Sequence, residues 1–245
     1  MEPDVRELTY AVVDVETTGI APGHDAVVEV ACVVVRGGRE VRSFSSLVDP
    51  GRPIPPRAAA VHHLTDADVR GEPALAELAP ILEQLCANAV VVAHHAAFDL
   101  GFLKMLAPRP SLCTLRLARH CFPELSSHAN QVLRYALGAA PDAGGPAHRA
   151  LADARVTASL LGVLLRRYCE RGEATDLRSL LAFAQKPIVL SALPFGRYRE
   201  VPLRDVPDGY LHWVLRQQEA FDGDIRHTVF AEIARRGALP QAAAS

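Results

Sequence analysis

The sequence predicts an α/β fold, and three stretches of the chain lead to that prediction. Residues 10–15 are rich in β-branched side chains, which favour a β-strand. A second apolar run, residues 89–93, ends at a histidine pair and precedes a helix that begins near Phe98. Residues 150–168 repeat apolar side chains at helical intervals. Strands combined with a long helix of this kind are typical of a sheet covered by helices.

Acidic side chains stand at the ends of these predicted elements. Asp14 and Glu16 are two residues apart, so on a strand they point to the same face. Asp99 follows the second apolar run, and Asp153 lies on the predicted long helix. Carboxylates beside apolar runs are costly to bury unless a cation offsets their charge. Oxygen ligands without a thiolate suit Mg²⁺ or Mn²⁺, so these four residues predict a metal centre of the kind that cleaves phosphodiesters.

His148 precedes Asp153 by five residues, which would place the two side chains on different faces of one continuous helix. A stretch rich in proline and glycine at 141–146 lies just before it and predicts a loop. We therefore place His148 on a loop and Asp153 on the helix. A neutral imidazole can accept a proton from water at neutral pH. Thr17 and Thr18 close the first strand, where their hydroxyls and backbone N–H groups can hold a nucleotide.

The three motifs, taken in order, resemble those of the DEDDh 3′→5′ exonucleases, a family that includes the proofreading epsilon subunit of bacterial replicases. The motifs are Asp-x-Glu-Thr-Thr-Gly at Asp14, His-x-Ala-x-Phe-Asp ending at Asp99, and His-x-Ala-x-x-Asp between His148 and Asp153. The resemblance covers residues 8–168. It implies a ribonuclease H-like fold of three layers, with a mixed five-stranded sheet flanked by helices.

The resemblance also implies a role for each catalytic position. Asp14 would bridge two Mg²⁺ (or Mn²⁺) ions, and Glu16, Asp99 and Asp153 would complete their coordination. One ion would activate the attacking water and the other would stabilise the leaving 3′-oxygen. His148 would be the general base that takes the proton of that water.

Four further residues are substrate contacts by the same resemblance. Thr17 and Thr18 would contact the terminal nucleotide, and His62 and Leu64 would lie against its sugar and base, with Leu64 as an apolar wedge. One position departs from the family, because His95 stands where the second motif usually has asparagine. An imidazole and an amide can each donate one hydrogen bond and accept another, so the role can survive this change.

The chain changes character after the predicted long helix. We predict an exonuclease domain at 1–170, a linker with a short helix at 171–187, and a small C-terminal hairpin and helix domain of α+β type at 188–240. The tail contains Phe-Gly-Arg-Tyr and later Gly-Tyr-Leu-His-Trp, and is similar to the C-terminal region of the bacterial exonuclease X family. Glu200 stands where that family commonly has glycine. Tyr198, Tyr210 and Trp213 either stack on bases or form the core of this small unit.

Composition agrees with a nuclease of a restricted kind. The chain has 245 residues and a net charge of −2, which is unfavourable for coating long nucleic acids but compatible with gripping a few terminal nucleotides. The candidates for a local basic rim are Arg109, Arg116, Arg119, Arg134 and Arg149. The five cysteines include no Cys-x-x-Cys pair, and neither a signal peptide nor a membrane-spanning segment is indicated. We therefore expect a cytoplasmic location.

Together with the family resemblance, which implies the 3′→5′ direction and the preference for DNA, these observations predict a two-metal exonuclease that acts on DNA 3′ ends, single strands in particular, and releases nucleoside 5′-monophosphates in DNA repair or proofreading. DNA polymerase or repair proteins are the expected partners, and no membrane is involved. Two alternatives stay open, namely an RNA-trimming DEDDh exoribonuclease and a non-catalytic nucleic-acid binding or docking module. Contacts to a 2′-hydroxyl would identify the first alternative, and an inability to release mononucleotides would identify the second.

Overall fold

The computed structural model describes residues 3–125, 127–139, 147–172, 174–217 and 223–237. The predicted loop at 141–146 therefore lies outside the described residues. Residue contacts divide the chain into two compact units. The first unit comprises Met1–Cys121 and Ser127–Ala184, and the second comprises Phe122–Ser126 and Gln185–Ser245. The unit boundary at 184 falls inside the segment predicted as a linker, and the domain assignment itself stays a prediction.

A mixed five-stranded sheet is the centre of the first unit, which confirms the predicted architecture. The strands are β1 (Thr9–Thr17), β2 (Val27–Arg36), β3 (Arg39–Leu47), β4 (Val90–Ala93) and β5 (Ser111–Cys113). Their order across the sheet is β3-β2-β1-β4-β5. The first three strands pair antiparallel, whereas β4 runs parallel to both β1 and β5. The strands predicted at 10–15 and 89–93 correspond to β1 and β4.

Helices flank this sheet. In chain order they are α1 (Pro56–His62), α2 (Asp66–Val69), α3 (Leu75–Leu85), α4 (Ala96–Phe102), α5 (Thr114–Cys121), α6 (Asn130–Ala136), α7 (Ala150–Cys169) and α8 (Leu177–Gln185). The helix predicted at 150–168 is α7, whose apolar positions recur at helical spacing and are buried. Among the helices in the described part of the chain, none is both long and apolar enough to cross a membrane.

Both faces of β2 are covered, which explains its nearly uninterrupted apolar sequence. Helices α7 and α3 both contact this strand, and every residue from Val27 to Val35 is buried. One of these buried residues is charged, namely Glu29. The edge strand β3 is mostly exposed, and its charged side chains discourage pairing with another sheet. Because α7 crosses β1 and β2, its first turn can lie beside the end of β1.

Helix α8 is the short helix predicted within the linker, and its apolar side packs into the first unit. Leu180 and Phe183 are buried, and the ring of Phe183 lies 5.2 Å from that of Tyr168. Arg116 Nε donates a hydrogen bond of 2.9 Å to the carbonyl oxygen of Ala184. The first unit therefore extends to the end of this helix.

In the described part of the second unit, an irregular segment precedes two α-helices, α9 (Asp208–Arg216) and α10 (Gly223–Arg235). The structure differs here from the predicted hairpin, because only isolated bridges join Ala192 to Pro202 and Leu193 to Arg199. Prolines at 194 and 202 have no N–H to donate, so a regular ladder cannot extend. The chain still reverses, since the Glu200 N–H donates to the Leu193 carbonyl oxygen at 3.0 Å.

The aromatic residues of the tail pack against one another. The rings of Tyr198 and Tyr210 lie 4.8 Å apart, and those of Tyr210 and Trp213 lie 5.2 Å apart. Gly196 has a φ of +72°, and a Cβ at this position would overlap the Tyr210 hydroxyl, which explains the glycine of Phe-Gly-Arg-Tyr. Tyr198 and Tyr210 pack against the apolar core of the unit, whereas Trp213 keeps 40% of its surface exposed. The core interpretation therefore describes the two tyrosines better than the tryptophan.

Candidate active site

Asp14 and Glu16 lie on β1, where the antiparallel and parallel halves of the sheet meet. Burial raises the pKa of Asp14 well above its usual value, and the charges of Asp99, Glu16 and Asp153 raise it further. Burial also raises the pKa of Glu16 to about 8, with added contributions from Asp153 and Glu29. Both carboxyl groups are therefore close enough to other acidic groups to resist ionisation without a cation.

Asp99 lies in the first turn of α4 and is 3% exposed. Burial raises its pKa to about 7, while hydrogen bonds from the backbone of Asp99 and Val15 act in the opposite direction. The contact with Val15 shows that this carboxylate faces β1 between Asp14 and Glu16. Helix α4 thus delivers the second motif to the same edge of the sheet as the first.

The third motif comes from the start of α7. Glu16, His148 and Asp153 each offer one ligand atom, and these atoms lie within 4.8 Å of one another. The His148 N–H donates to Asp153 Oδ2 at 2.8 Å, so the loop residue is tied to the helix residue. His148 has a φ of +62°, an uncommon conformation for a residue with a Cβ, and it is exposed. The structure therefore brings the predicted base and the predicted acidic residues together.

The donor set fits a hard divalent cation. Its ligand atoms are carboxylate oxygens with one imidazole nearby, and no thiolate takes part. Burial is the main cause of the raised pKa values of Asp14, Glu16 and Asp99, and repulsion from neighbouring carboxylates raises those of Asp14 and Glu16 further. A bound cation offsets both the cost of burying these charges and the repulsion between them, so the residues present suit the metal centre that the sequence predicts.

Thr17 and Thr18 form a tight loop beside these carboxylates, and both are buried. Thr17 Oγ1 donates to the Gly19 carbonyl oxygen at 2.6 Å, and Thr18 Oγ1 accepts from the Ala26 N–H at 3.0 Å. A Cβ on Gly19 would overlap the carboxylate of Asp25, which explains why glycine follows the threonines. Both hydroxyls therefore shape the loop, and their contact with a nucleotide stays a prediction.

His62 and Leu64 lie at the end of α1 and are almost fully buried, at 2% and 5% exposed. His62 Nδ1 accepts from the Leu64 N–H at 3.1 Å, while Nε2 has no hydrogen bond of good geometry among the described residues. Burial lowers the pKa of His62, and a weak interaction with the Thr17 backbone acts in the opposite direction. Leu64 packs in a small apolar cluster with Val28 and Ile54, so it offers a terminal base little surface in this structure.

Of the histidine pair at the end of β4, His94 is half-buried and His95 is exposed. His94 Nδ1 lies 3.0 Å from Thr114 Oγ1 and its Nε2 lies 2.9 Å from the His128 carbonyl oxygen. Burial lowers the pKa of His94 to about 4, so it serves as a neutral structural residue. His95 is the residue immediately before α4 and has a φ of +79°. Asparagine and histidine both tolerate this conformation better than most residues, which gives a backbone reason for the departure from the family motif.

Two positioning residues were missed by sequence reasoning. Glu29 is buried on β2 directly opposite Glu16 in the strand register. Its carboxylate accepts hydrogen bonds from Arg149 Nη2 at 2.8 Å, from Arg149 Nε at 3.1 Å and from the Ala150 N–H at 3.1 Å. This pair fixes the start of α7, immediately after His148. The feature of the sequence that could have indicated this role is that Glu29 is a single acidic residue within an otherwise apolar strand.

The second missed residue is Gln131 on α6, whose Nε2 donates to Asp153 Oδ1 at 2.5 Å. It orients the carboxylate from the side opposite to His148.

Two arginines predicted as part of a basic rim make hydrogen bonds within the protein instead. Arg149 pairs with Glu29, and Arg109 donates to the carbonyl oxygens of Met105 and Glu83, so both have structural roles.

Comparisons with known proteins identify the family. Residues 11–161 match a family model described as exonuclease. Exodeoxyribonuclease 10 of Escherichia coli is 31% identical over 223 residues, which cover 89% of this chain and 96% of that protein. The chain belongs to the exonuclease family. A putative bifunctional exonuclease/endonuclease of Mycobacterium tuberculosis is 37% identical over 74% of this chain, but the chain spans only 30% of that relative's length.

Solved structures agree with membership of the exonuclease family. The structure of exonuclease X in complex with 5′-overhanging duplex DNA matches 71% of this chain and 99% of its own, with a TM-score of 0.60 and 30% identity. This likeness confirms the ribonuclease H-like fold. The exonuclease family depends on divalent metals. Residues 184–223, most of the second unit, match a separate model described as a putative quorum-sensing-regulated virulence factor.

Proposed function

We propose that the protein is a two-metal 3′→5′ exonuclease that hydrolyses DNA and releases nucleoside 5′-monophosphates. The observation that supports this best is the convergence of Asp14, Glu16, Asp99 and Asp153 with His148 at one edge of the sheet. Three separate elements, β1, α4 and α7, supply these side chains. An arrangement of this kind is unfavourable on its own and is explained by the chemistry it allows.

Asp14, Glu16, Asp99 and Asp153 would hold two Mg²⁺ or Mn²⁺ ions. When bound, such ions supply a nucleophile from water at neutral pH and stabilise charge on the leaving oxygen. His148 is exposed beside the acidic residues, so its imidazole can take the proton of the attacking water. The hydrogen bond from its N–H to Asp153 keeps the base next to the ligand set.

The substrate proposed is the 3′ end of DNA. Two observations on relatives support DNA, namely the name exodeoxyribonuclease 10 and the DNA complex of exonuclease X. We propose single-stranded ends as the preferred form, as in the sequence-based expectation. Association with a DNA polymerase or repair proteins, action in repair or proofreading, and a cytoplasmic location belong to the same proposal and stay predictions.

One assay tests the proposal. Purified protein with Mg²⁺ is incubated with 3′- and 5′-labelled single-stranded DNA, duplex DNA and RNA of the same sequence. We expect nucleoside 5′-monophosphates to appear from the 3′ end of DNA and to disappear when EDTA is added. Faster degradation of RNA would assign the protein to the exoribonucleases, and metal-independent binding without products would make it a binding module.

Two variants assign the roles within the site. Asp14→Asn removes the charge proposed to hold both ions, so turnover should fall by at least about 100-fold and Mn²⁺ affinity should fall with it. His148→Ala should lower turnover by about 10² to 10⁴ while Mn²⁺ affinity, measured by calorimetry, changes little. An equal loss of Mn²⁺ affinity in both variants would make His148 a ligand and contradict its role as base.

A further inference from the structure

Three side chains on α6 form a chain of contacts that leads outward from the candidate metal centre. Gln131 Nε2 donates to Asp153 Oδ1 at 2.5 Å. Arg134 Nη1 donates to Gln131 Oε1 at 3.4 Å, and the Arg134 guanidinium lies 5.5 Å from the centroid of the Tyr135 ring. A catalytic carboxylate is thus connected, through an amide and a guanidinium, to an aromatic ring at the surface.

Helix geometry places these groups on one side of α6. Gln131 and Tyr135 are four residues apart, so their Cβ atoms lie about 5–6 Å apart on the same face. A different face packs on α7, because Leu133 is buried and Asn130 Nδ2 donates to Thr157 Oγ1 at 3.0 Å. Tyr135 is 78% exposed and therefore contributes little to the core. The helix is held by one face and presents the other beside the site.

A polynucleotide whose terminal phosphodiester lies at Asp153 must continue across the surface next to it. Aromatic rings stack on any base, because every base has a π-face, and arginine adds a charge that attracts phosphate. We propose that Gln131, Arg134 and Tyr135 form the binding site for the nucleotide that precedes the scissile bond, with Tyr135 stacking on its base and Arg134 facing its phosphate. This inference rests on the proposed function, and it explains how a chain with a net charge of −2 can grip a DNA end.

Two substrates separate this site from the chemistry. One is a single-stranded thymidine decamer, which has a base before the scissile bond. The other is the methyl ester of thymidine 5′-monophosphate, which has neither a base nor any other ring there. Tyr135→Ala should raise KM for the decamer about tenfold relative to KM for the ester, equivalent to about 1.4 kcal/mol. Tyr135→Phe keeps an aromatic ring and should restore most of the affinity.

Arg134→Ala should also raise KM for the decamer and should reduce the slope of log KM against log salt by about one. Phe230→Ala is the matched control, because Phe230 is an exposed aromatic residue on α10 in the other unit. KM values that rise equally on both substrates in Tyr135→Ala, or stay unchanged on the decamer, would overturn the inference. Absence of metal-dependent hydrolysis of either substrate by the wild-type protein would instead overturn the proposed function.

Discussion

At the scale of residues, burial and crowding of carboxyl groups should make the metal-free protein sensitive to pH. The pKa of Glu16 is about 8 and that of Asp99 about 7, both above their values in an unfolded chain. A group that binds its proton more tightly when folded loses stabilisation as the pH rises from its unfolded to its folded pKa. We expect the free energy of unfolding of the metal-free protein to fall by about 1–2 kcal/mol between about pH 6.5 and 8.

Urea denaturation in EDTA measures this change. Glu16→Gln should flatten the pH dependence. Mg²⁺ added at about pH 8 should raise the free energy of unfolding of the wild-type protein again, because it binds the ionised carboxylates of the folded state. Among the groups with lowered pKa values, Glu40 and Glu232 lose their arginine partners only in acid, whereas His94 and His62 oppose the fall slightly, because their imidazoles in the unfolded chain finish losing their protons just above about pH 6.5. A flat profile for the wild-type protein would contradict the crowding described here.

The same scale shows where sequence reasoning succeeds and where it stops. The grouping of Asp14 with Glu16 follows from strand geometry, and that of His148 with Asp153 follows from a loop next to a helix. Glu29 could not be assigned, because its partner Arg149 is 120 residues away and nothing local connects the two. Gln131 has no distinguishing neighbour in the sequence at all. Contacts of this kind depend on the packing of α6 and α7 against the sheet.

At the scale of elements, the pair formed by the buried Glu29 and the partly exposed Arg149 anchors the start of α7. Arg149→Ala leaves the Glu29 carboxylate buried without its charged partner, so we expect the free energy of unfolding to fall by about 2–3 kcal/mol. Turnover should fall as well, because His148 and Asp153 flank the anchor. The matched control is Arg155→Ala on the same helix, whose pair with Glu40 is partly exposed and should contribute less than about 1 kcal/mol.

The double variant Glu29→Gln with Arg149→Ala distinguishes anchoring from charge. It removes the unpaired carboxylate, so stability should recover in part, whereas turnover should stay low because α7 still lacks its anchor. Urea denaturation measures the change in stability, and kcat, determined across a range of pH, measures the change in turnover. Wild-type turnover in Arg149→Ala would show that the start of α7 does not depend on this pair.

The irregular segment of the tail shows a second limit of sequence reasoning. The sequence predicted a hairpin in this domain, but the chain reverses without a ladder, and Glu200 adopts a φ of +63° where glycine is favoured. Glu200→Gly should raise the stability of the second unit by about 0.5–1 kcal/mol, because glycine avoids the steric cost of a left-handed residue. Glu200→Ala is the control. It also removes the ion pair with Arg199 but keeps the Cβ, so a similar gain in this variant would assign the effect to charge.

At the scale of the whole molecule, the first unit should be active without the second. The five-stranded sheet that the family resemblance implies and the helix predicted at 150–168 are both present, and the predicted end of the exonuclease domain at residue 170 lies before α8, which packs into the first unit. The packing of α8 depends on tertiary contacts that a local pattern does not encode. Tyr168 Oη donates to the Ala174 carbonyl oxygen at 2.6 Å, the Val5 N–H donates to the Thr175 carbonyl oxygen at 2.8 Å, and Phe183 is buried.

Two truncations test this boundary. A chain that ends at Lys186 keeps α8 and should hydrolyse short single-stranded DNA at a rate near that of the full chain. A chain that ends at Arg171 exposes the surface that Leu180 and Phe183 cover, so its free energy of unfolding should be lower by at least about 3 kcal/mol.

If Arg197, Tyr198 and Arg199 guide longer DNA, the chain ending at Lys186 should also show a higher KM on duplex substrates and a flatter salt dependence, because fewer phosphates are neutralised. Equal stability of the two truncated chains would contradict the assignment of α8 to the catalytic unit, and unchanged kinetics on duplex DNA would leave the tail a stabilising or protein-docking role.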